Sequence, residues 1–565
     1  MTLGTDLLLS SPLLFLPVWL YAEIHYRFRG VPSRLFKREP EILADVPHRL
    51  EPGVPLPILL VVKDAKRFPI RMRRVSAGIA DDAGRHFNVV LLDQPLDIHD
   101  YYWWRIEHVM LPANFTGRLR IEVRSEYEIS RGRLRYAVND NYRGVSHAPL
   151  LTYAATEPLP LLPGYISGDL HVHTDGTDDQ VEFGAPLAAT AAMARAVGLQ
   201  FFAATDHSYD IDDLPENYLK NDSALQRWQK QSRDIESWNA KKNGVMILPG
   251  EEVSCANHRG RNVHFLVLGH TRFLPGSGDS AERWLRTRAE MSIAQILDEL
   301  GRDASAFAAH PSVRTPALEW LLLRRGRWHR ADCEHPRLDG LQIWNGHPDA
   351  IEEGLQLWRD LLLSGKRLRL VAGNDAHGNF SRFRQISFPS LRMREHHLHI
   401  FGRCRTMING HANAGASEII SLLRRGAACL STGPVIALQV VDSHGKAFAM
   451  GDTVRGELSA LNIAVKSSRE FGEIENIKIW FGDLMAGQER LCFGKSDFAG
   501  DTTFAATLAN PLTSRRPGYF RAEVSTRPNG AALPDVRLRP QALTNPVWVD
   551  VDSHEMRVPG PHDGP

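Results

Sequence analysis

Cysteine is scarce. Five occur in 565 residues, at Cys255, Cys333, Cys404, Cys429 and Cys492, an odd number with no Cys-x-x-Cys pair. That argues against a disulfide framework and for reduced, buried thiols in a reducing compartment. Charge of one sign is lacking too. Lys and Arg number 67 against 66 Asp and Glu, a formal net charge of +1, so no nucleic-acid surface built on bulk charge is expected. Missing as well is an uninterrupted apolar run of the ~20 residues a spanning helix needs. Leu7 to Ala22 is almost wholly apolar, but Pro12 and Pro17 break it and no Lys or Arg precedes it as in a secretory signal. The expectation is a segment packed on its own protein, and a cytoplasmic chain. Membrane attachment, which Arg27 and Arg29 just beyond the run would favour, is the alternative.

What is present is ordinary for a globular protein: 43% hydrophobic and 24% charged residues, over a length that predicts several domains. From about Pro55 to Tyr153 the chain reads as short β-rich runs (Pro57–Val62, His86–Leu92, Tyr102–Val109, Gly117–Val123), separated by Gly, Pro, Asp and Asn clusters. An antiparallel sandwich is expected, with Trp103 and Trp104 in its core. A proline-rich linker follows, Glu157 to Gly164. Beyond it, strand and helix patterns alternate. Pro186 opens a helix that Gly198 closes. A long amphipathic helix is predicted over about Ala281–Leu300, another over Ala350–Leu363, and one over Glu418–Arg424. After Val435 the pattern returns to strands, Val435–Val441, Leu461–Val465, Ile474–Trp480 and Tyr519–Val524, as in a second sandwich.

The central stretch carries the chemistry. Gly168-Asp169-Leu170-His171-Val172-His173 puts two imidazoles on one side of a strand. Further apolar runs end in Asp206-His207, Glu251-Glu252, His310-Pro311, Asn345-Gly346 and Asn374-Asp375-Ala376-His377, and a third strand carries His264. In a parallel barrel the carboxyl ends of the strands meet at one mouth. Metal-ligating side chains set repeatedly just beyond apolar strands therefore converge. Imidazole and carboxylate together suit Mn, Fe or Zn better than Mg. Glu395-His396-His397-Leu398-His399 lacks such partners and reads as a loop or strand edge.

These motifs resemble the polymerase-and-histidinol-phosphatase (PHP) family of metal-dependent hydrolases, in family order from Gly168 to Gly378. Ile343-Trp344-Asn345-Gly346 and Leu430-Ser431-Thr432-Gly433-Pro434 are similar to its carbaryl-hydrolase-like subgroup. The resemblance implies an α/β chain with a distorted (β/α)7 barrel over residues 165–432. It would be flanked by β-sandwich domains at 31–164 and 433–558, with an apolar segment at 1–30 and a disordered tail at 559–565. It implies two or three divalent ions: one on His171, His173, Glu252 and Asp375; a second on Glu252, His264 and His310; a third on Asp178, His207 and His377. Glu251 competes with Glu252, His258 with His264, and Asp175 and Asp179 with Asp178. The family's Ser-Asp pair reads Asn374-Asp375 here. Asp169 and Asp206 are candidates to orient the histidines, and Arg314 and Arg382 to contact an anionic substrate.

The implied activity is hydrolysis of a small phosphate ester by a metal-bridging hydroxide. Hydrolysis of a carbamate or carboxylic ester is the alternative within enzymes. A non-catalytic scaffold with the sandwiches as binding modules is the alternative outside them.

Overall fold

A computed structural model describes residues 39–129, 132–142, 147–178, 183–215, 217–242, 244–278, 287–345, 350–382, 385–387, 392–394, 399–512, 516–527 and 539–550. The apolar run at 7–22, Asp179, Gly346, residues 395–398 and the tail from 551 lie outside them. Among the described residues no helix is long and apolar enough to cross a membrane. The fold is mixed α/β, rich in strands, with several sheets and few helices.

The β-rich beginning folds into a three-stranded and a seven-stranded sheet. Strand β1 (Leu56–Lys63) lies antiparallel to β2 (Tyr102–Val109), with Lys63 opposite Tyr102. Every residue of β1 is buried because both its faces are covered. Ile58, Leu60 and Val62 pack into the N-terminal core, while Leu59 and Val61, on the alternate face, pack against the central unit. Trp103 only partly enters the N-terminal core and Trp104 is 37% exposed, because their strand is a sheet edge.

The central unit begins with β3 (Tyr165–His173), α1 (Leu187–Val197), β4 (Phe201–Ala204), α2 (Gln226–Ala240), β5 (Met246–Ala256) and β6 (Asn262–Leu268). It continues with α3 (Ile293–Glu299), β7 (Ser305–Ala309), β8 (Gly340–Trp344), α4 (Ile351–Leu363), β9 (Arg369–Ala372) and the two-residue β10 (Ala376–His377). Helix α1 ends as its sequence predicts: Gly198 takes φ 98° and its N–H reaches Ala194 O and Arg195 O. The long helix expected from Ala281 is corrected. Residues 279–286 lie outside the description, and the helix starts only at Ile293, where Ser292 and Gln295 form a capping box.

The strands pair in the order β9-β8-β7-β6-β5-β4-β3. They are parallel except at β6, which runs antiparallel to both neighbours. An all-parallel reading fails there because β5 and β6 are joined by a tight turn, Gly260 N–H bonding Asn257 O, too short for a crossover. No ring of paired strands closes among the described residues, since β9 is an edge. The chain beyond β9 nonetheless returns to β3 through β10, His377 opposite His173. On the same edge as β10, nearer the start of the strand, β3 meets β11 (Arg405–Asn409), which leads to β12 (Ala428–Ser431) and β13 (Gln541–Thr544). The sheet thus continues into Gly518–Arg527 and Glu473–Asp483, while Val435–Asp442 and Leu458–Lys466 lie in a separate four-stranded sheet.

Side chains finish the free edge of β9. Leu370 N–H donates to Asn545 Oδ1 (2.7 Å) and Asn545 Nδ2 donates to Leu370 O (3.0 Å). Ala372 N–H donates to Thr406 Oγ1, whose hydroxyl donates to Ala372 O, both at 2.8 Å. Thr406 and Asn545 are buried, so no water replaces them. Thr406→Val leaves a buried N–H and C=O unpaired, and a loss of about 2–4 kcal/mol is expected in urea unfolding. Ser443→Ala, in a C-terminal turn, is the control and should leave the midpoint unchanged.

Candidate metal centre

The geometry centres on Glu252, which is fully buried in β5. His171 Nε2, His264 Nδ1 and His310 Nε2 lie 3.1, 2.9 and 3.2 Å from its Oε1. His173 Nε2 and His207 Nδ1 lie 3.4 and 3.0 Å from its Oε2. Asp375 Oδ1 stands 3.1 Å from His173 Nε2 and 3.3 Å from His171 Nε2. His377 stacks on His173, ring centroids 4.0 Å apart. Donor atoms close enough to hold an ion form three overlapping groups: His171, His173, Glu252 and Asp375; His207, Glu252 and His264; and His173, His207 and His377.

Local structure explains the convergence. His171 and His173 share a face of β3 by alternation. Glu252 takes the inward position of β5, while Glu251 faces Trp228 Nε1, Ser208 Oγ and Leu274 N–H. His264 comes from antiparallel β6, opposite Ser254. His258 is turned away, paired with Asp332 at 3.1 Å. His310 and Asp375 sit just past β7 and β9 in left-handed backbone, φ 30° and 53°. Such strain costs about 1–3 kcal/mol per residue and concentrates at functional sites.

The groups that orient the rings differ from those expected. His171 Nδ1 meets Gln342 Oε1 at 3.0 Å, His173 Nδ1 meets Thr177 Oγ1 at 3.2 Å, and His377 Nδ1 meets the Asp375 carbonyl at 3.1 Å. Asp169 and Asp206 hold backbone instead. Asp169 accepts from the N–H groups of His171, Asn374 and Gly402 and from Asn374 Nδ2, which fixes the Asp375 turn. Asp206 accepts from Thr174 and Thr177 N–H, Thr174 Oγ1 and Gln231 Nε2, which fixes the loop after β3. Gln342 gave no sequence signal, as an amide inside an apolar strand. Helix α2, which supplies Gln231, Trp228 and Arg227, was also unforeseen; its run is polar and carries few buried residues.

Two expected contacts are placed elsewhere. Arg382 is buried and pairs with Asp140 of the N-terminal sheets at 3.2 Å. Asp178 enters none of the three donor groups; Lys63 Nζ lies 2.7 Å from its Oδ1. Arg314 lines a cavity of about 80 Å³ together with His264, His310, Arg325 and Arg327. On another side, a cavity of about 410 Å³ lies between Tyr101, Tyr102 and α2, beside Asp178.

The electrostatics suit a cation. Burial would raise the Glu252 carboxyl, but His171 and His264 hold it well below the carboxylate range. Burial lowers His171, yet Glu252 and Asp375 outweigh it and raise it to about 9. Burial and the neighbouring His377 and His207 push His173 well down, and burial takes His207 to about 4. His310 Nε2 meets Glu252 Oε1 at 3.2 Å, His173 Nε2 meets Asp375 Oδ1 at 3.1 Å and His207 Nδ1 lies 3.0 Å from Glu252 Oε2, so the buried donors crowd within hydrogen-bonding reach of one another. Clustered imidazoles and carboxylates of this kind could hold a metal ion.

No family model matches the chain, and no curated protein matches it. Among solved structures it is similar to an FMN-binding β-glucuronidase from Facaelibacterium prausnitzii L2-6, at 8% identity over 90% of this chain and 73% of that one, TM-score 0.17. It is likewise similar to a β-D-mannosidase from Dictyoglomus thermophilum (8%, 90% and 67%, TM-score 0.20) and a β-glucuronidase from Parabacteroides merdae (8%, 91% and 64%, TM-score 0.16). Scores this low carry no argument about fold or activity.

Glu252→Gln should abolish retention of Mn or Zn through gel filtration, whereas Glu251→Gln should keep it; metal analysis of the two eluates distinguishes them. Loading also has a pH dependence. His171 is protonated below about 9, so an ion entering at pH 7 displaces that proton. Affinity should therefore rise from pH 6 to pH 9, with proton release seen as a buffer-dependent binding heat.

Proposed function

We propose that this chain is a metal-dependent hydrolase of the polymerase-and-histidinol-phosphatase type that cleaves phosphate esters. The observation carrying the reading is the convergence of five imidazoles on one buried carboxylate, Glu252, with Asp375 against two of them. The strand order from β3 to β9, with β10 returning to β3, supports a distorted (β/α)7 barrel as the scaffold. Bound divalent ions would supply an activated water and polarise the phosphoryl oxygen.

The chain's own residues do the rest. Glu252, His171, His173 and Asp375 would hold one ion, and Glu252, His207 and His264, with His310 adjacent, another. Gln342 and Thr177 fix the His171 and His173 rings so that their Nε2 atoms face inward. Three arginines but one carboxylate, Glu319, line the small cavity beside His264 and His310. Arg325 is paired with Glu319 at 3.1 Å and Arg327 with Glu353 at 3.0 Å, so Arg314 is the cation that favours a phosphoryl group over an uncharged carbamate. Arg314 there is exposed and placed to take a phosphate oxygen.

Metal-loaded protein assayed with p-nitrophenyl phosphate, its bis-ester and 1-naphthyl methylcarbamate tests the reading. Turnover of a phosphate, abolished in His171→Ala, is expected. Gln342→Ala should weaken metal binding about 10- to 100-fold. Turnover of the carbamate alone would replace the phosphate reading, and bound metal with no turnover would favour a scaffold.

A further inference from the structure

Asp178 has the wrong company for a metal ligand. Its Oδ1 lies 2.7 Å from Lys63 Nζ and its Oδ2 3.5 Å from Arg227 Nη2. The Tyr101 hydroxyl also hydrogen-bonds to it. The side chains of Lys63 and Asp178 are 4% and 7% exposed, so this is a buried pair. Lys63 ends β1, a strand of the N-terminal sheets. By alternation it points to the same side as Leu59 and Val61, the side packed on the central unit. Its ammonium lies 4.3 Å over the Phe183 ring. Its register partner Tyr102 donates its hydroxyl to Gly184 O at 3.0 Å, which fastens the end of β1–β2 against the central unit.

We propose that Lys63 supplies, at Asp178, the positive charge that a third ion would bring, so that the centre holds two divalent ions and not three. The proposal rests on reading the centre as a metal site. Two observations carry it. Both oxygens of Asp178 already face cations, and a divalent ion brought to the same buried carboxylate would repel the ammonium and the guanidinium. The third group of donors, His173, His207 and His377, also shares His173 with the four-donor group and His207 with the Glu252–His264 group. His173 has Nε2 alone to give, since its Nδ1 meets Thr177 Oγ1 at 3.2 Å, and a ring nitrogen gives its lone pair to one ion. With two ions in place the third group loses His173, and it has lost its carboxylate partner to Lys63.

Stoichiometry tests this on the full chain. Protein stripped with chelator is titrated with Mn, and bound metal is counted by mass spectrometry after gel filtration. Two ions per chain are expected for the unaltered protein and for Lys63→Arg, which keeps the charge. Lys63→Met should take up a third, and the double variant Lys63→Met with Asp178→Asn should return to two. Three ions in the unaltered protein would overturn the proposal and leave the metal-centre reading standing. So would a count of two in folded Lys63→Met, or a third ion that persists in the double variant. No retained metal in any variant would overturn the reading of the centre itself. If Lys63→Met fails to fold, as judged by circular dichroism, the counts for the unaltered protein and Lys63→Arg still decide.

Discussion

Everything in the central unit answers to one carboxylate held away from water. An ionised Glu at a position with no exposure is costly unless paired. Here five imidazoles surround it, and not all of them can be charged, since burial and mutual repulsion keep His173 and His207 neutral. The charge is balanced chiefly by His171, which is also next to Asp375. The arrangement is therefore short of positive charge. Stability and binding pull in opposite directions here. The left-handed backbone at His310 and Asp375 adds strain at the same place.

The N-terminal sheets take part in the centre. Strand β1 is a wall shared by two cores, and its terminal lysine crosses that wall. Asp45, from the strand Glu41–Asp45, accepts N–H bonds from Phe380, Ser381 and Arg382, just after His377. Arg382 in turn reaches back to Asp140. The loop that follows the last expected ligand is thus pinned by a part of the chain more than two hundred residues earlier. A change in the N-terminal sheets would be felt at the centre without touching a donor atom.

Much of this was legible in the sequence. Strand ends are easy to read where apolar runs stop at His, Asp or Glu, and His171, His173, His207, Glu252, His264, His310, Asp375 and His377 all come together. The choices of Glu252 over Glu251 and His264 over His258 came from the resemblance; in the structure Glu251 and Glu252 take opposite faces of β5, and His258 lies in the turn before β6. Direction was not legible: β6 reverses because of a tight turn, and apolar content says nothing of strand sense. Partners distant in sequence were also hidden. Asp178 stood among ligand-like neighbours, while the lysine that takes it lies over a hundred residues upstream in a run that reads only as core. Asp169 and Asp206 were expected to orient the histidine rings; instead they accept from loop backbone and from Asn374, Thr174 and Gln231, and the rings are steered by an amide and a hydroxyl with no pattern to betray them.

The edge of β9 has a temporal side. Leu370 is completed by Asn545, a residue 175 positions further along. At a synthesis rate of roughly 5–20 residues per second, about ten to thirty-five seconds pass between the two leaving the peptidyl-transferase centre. Throughout that interval a buried-type strand stands with unmatched amides beside the histidine and carboxylate cluster. The nascent chain has to keep that strand from pairing with a neighbour on the same message until its far end emerges.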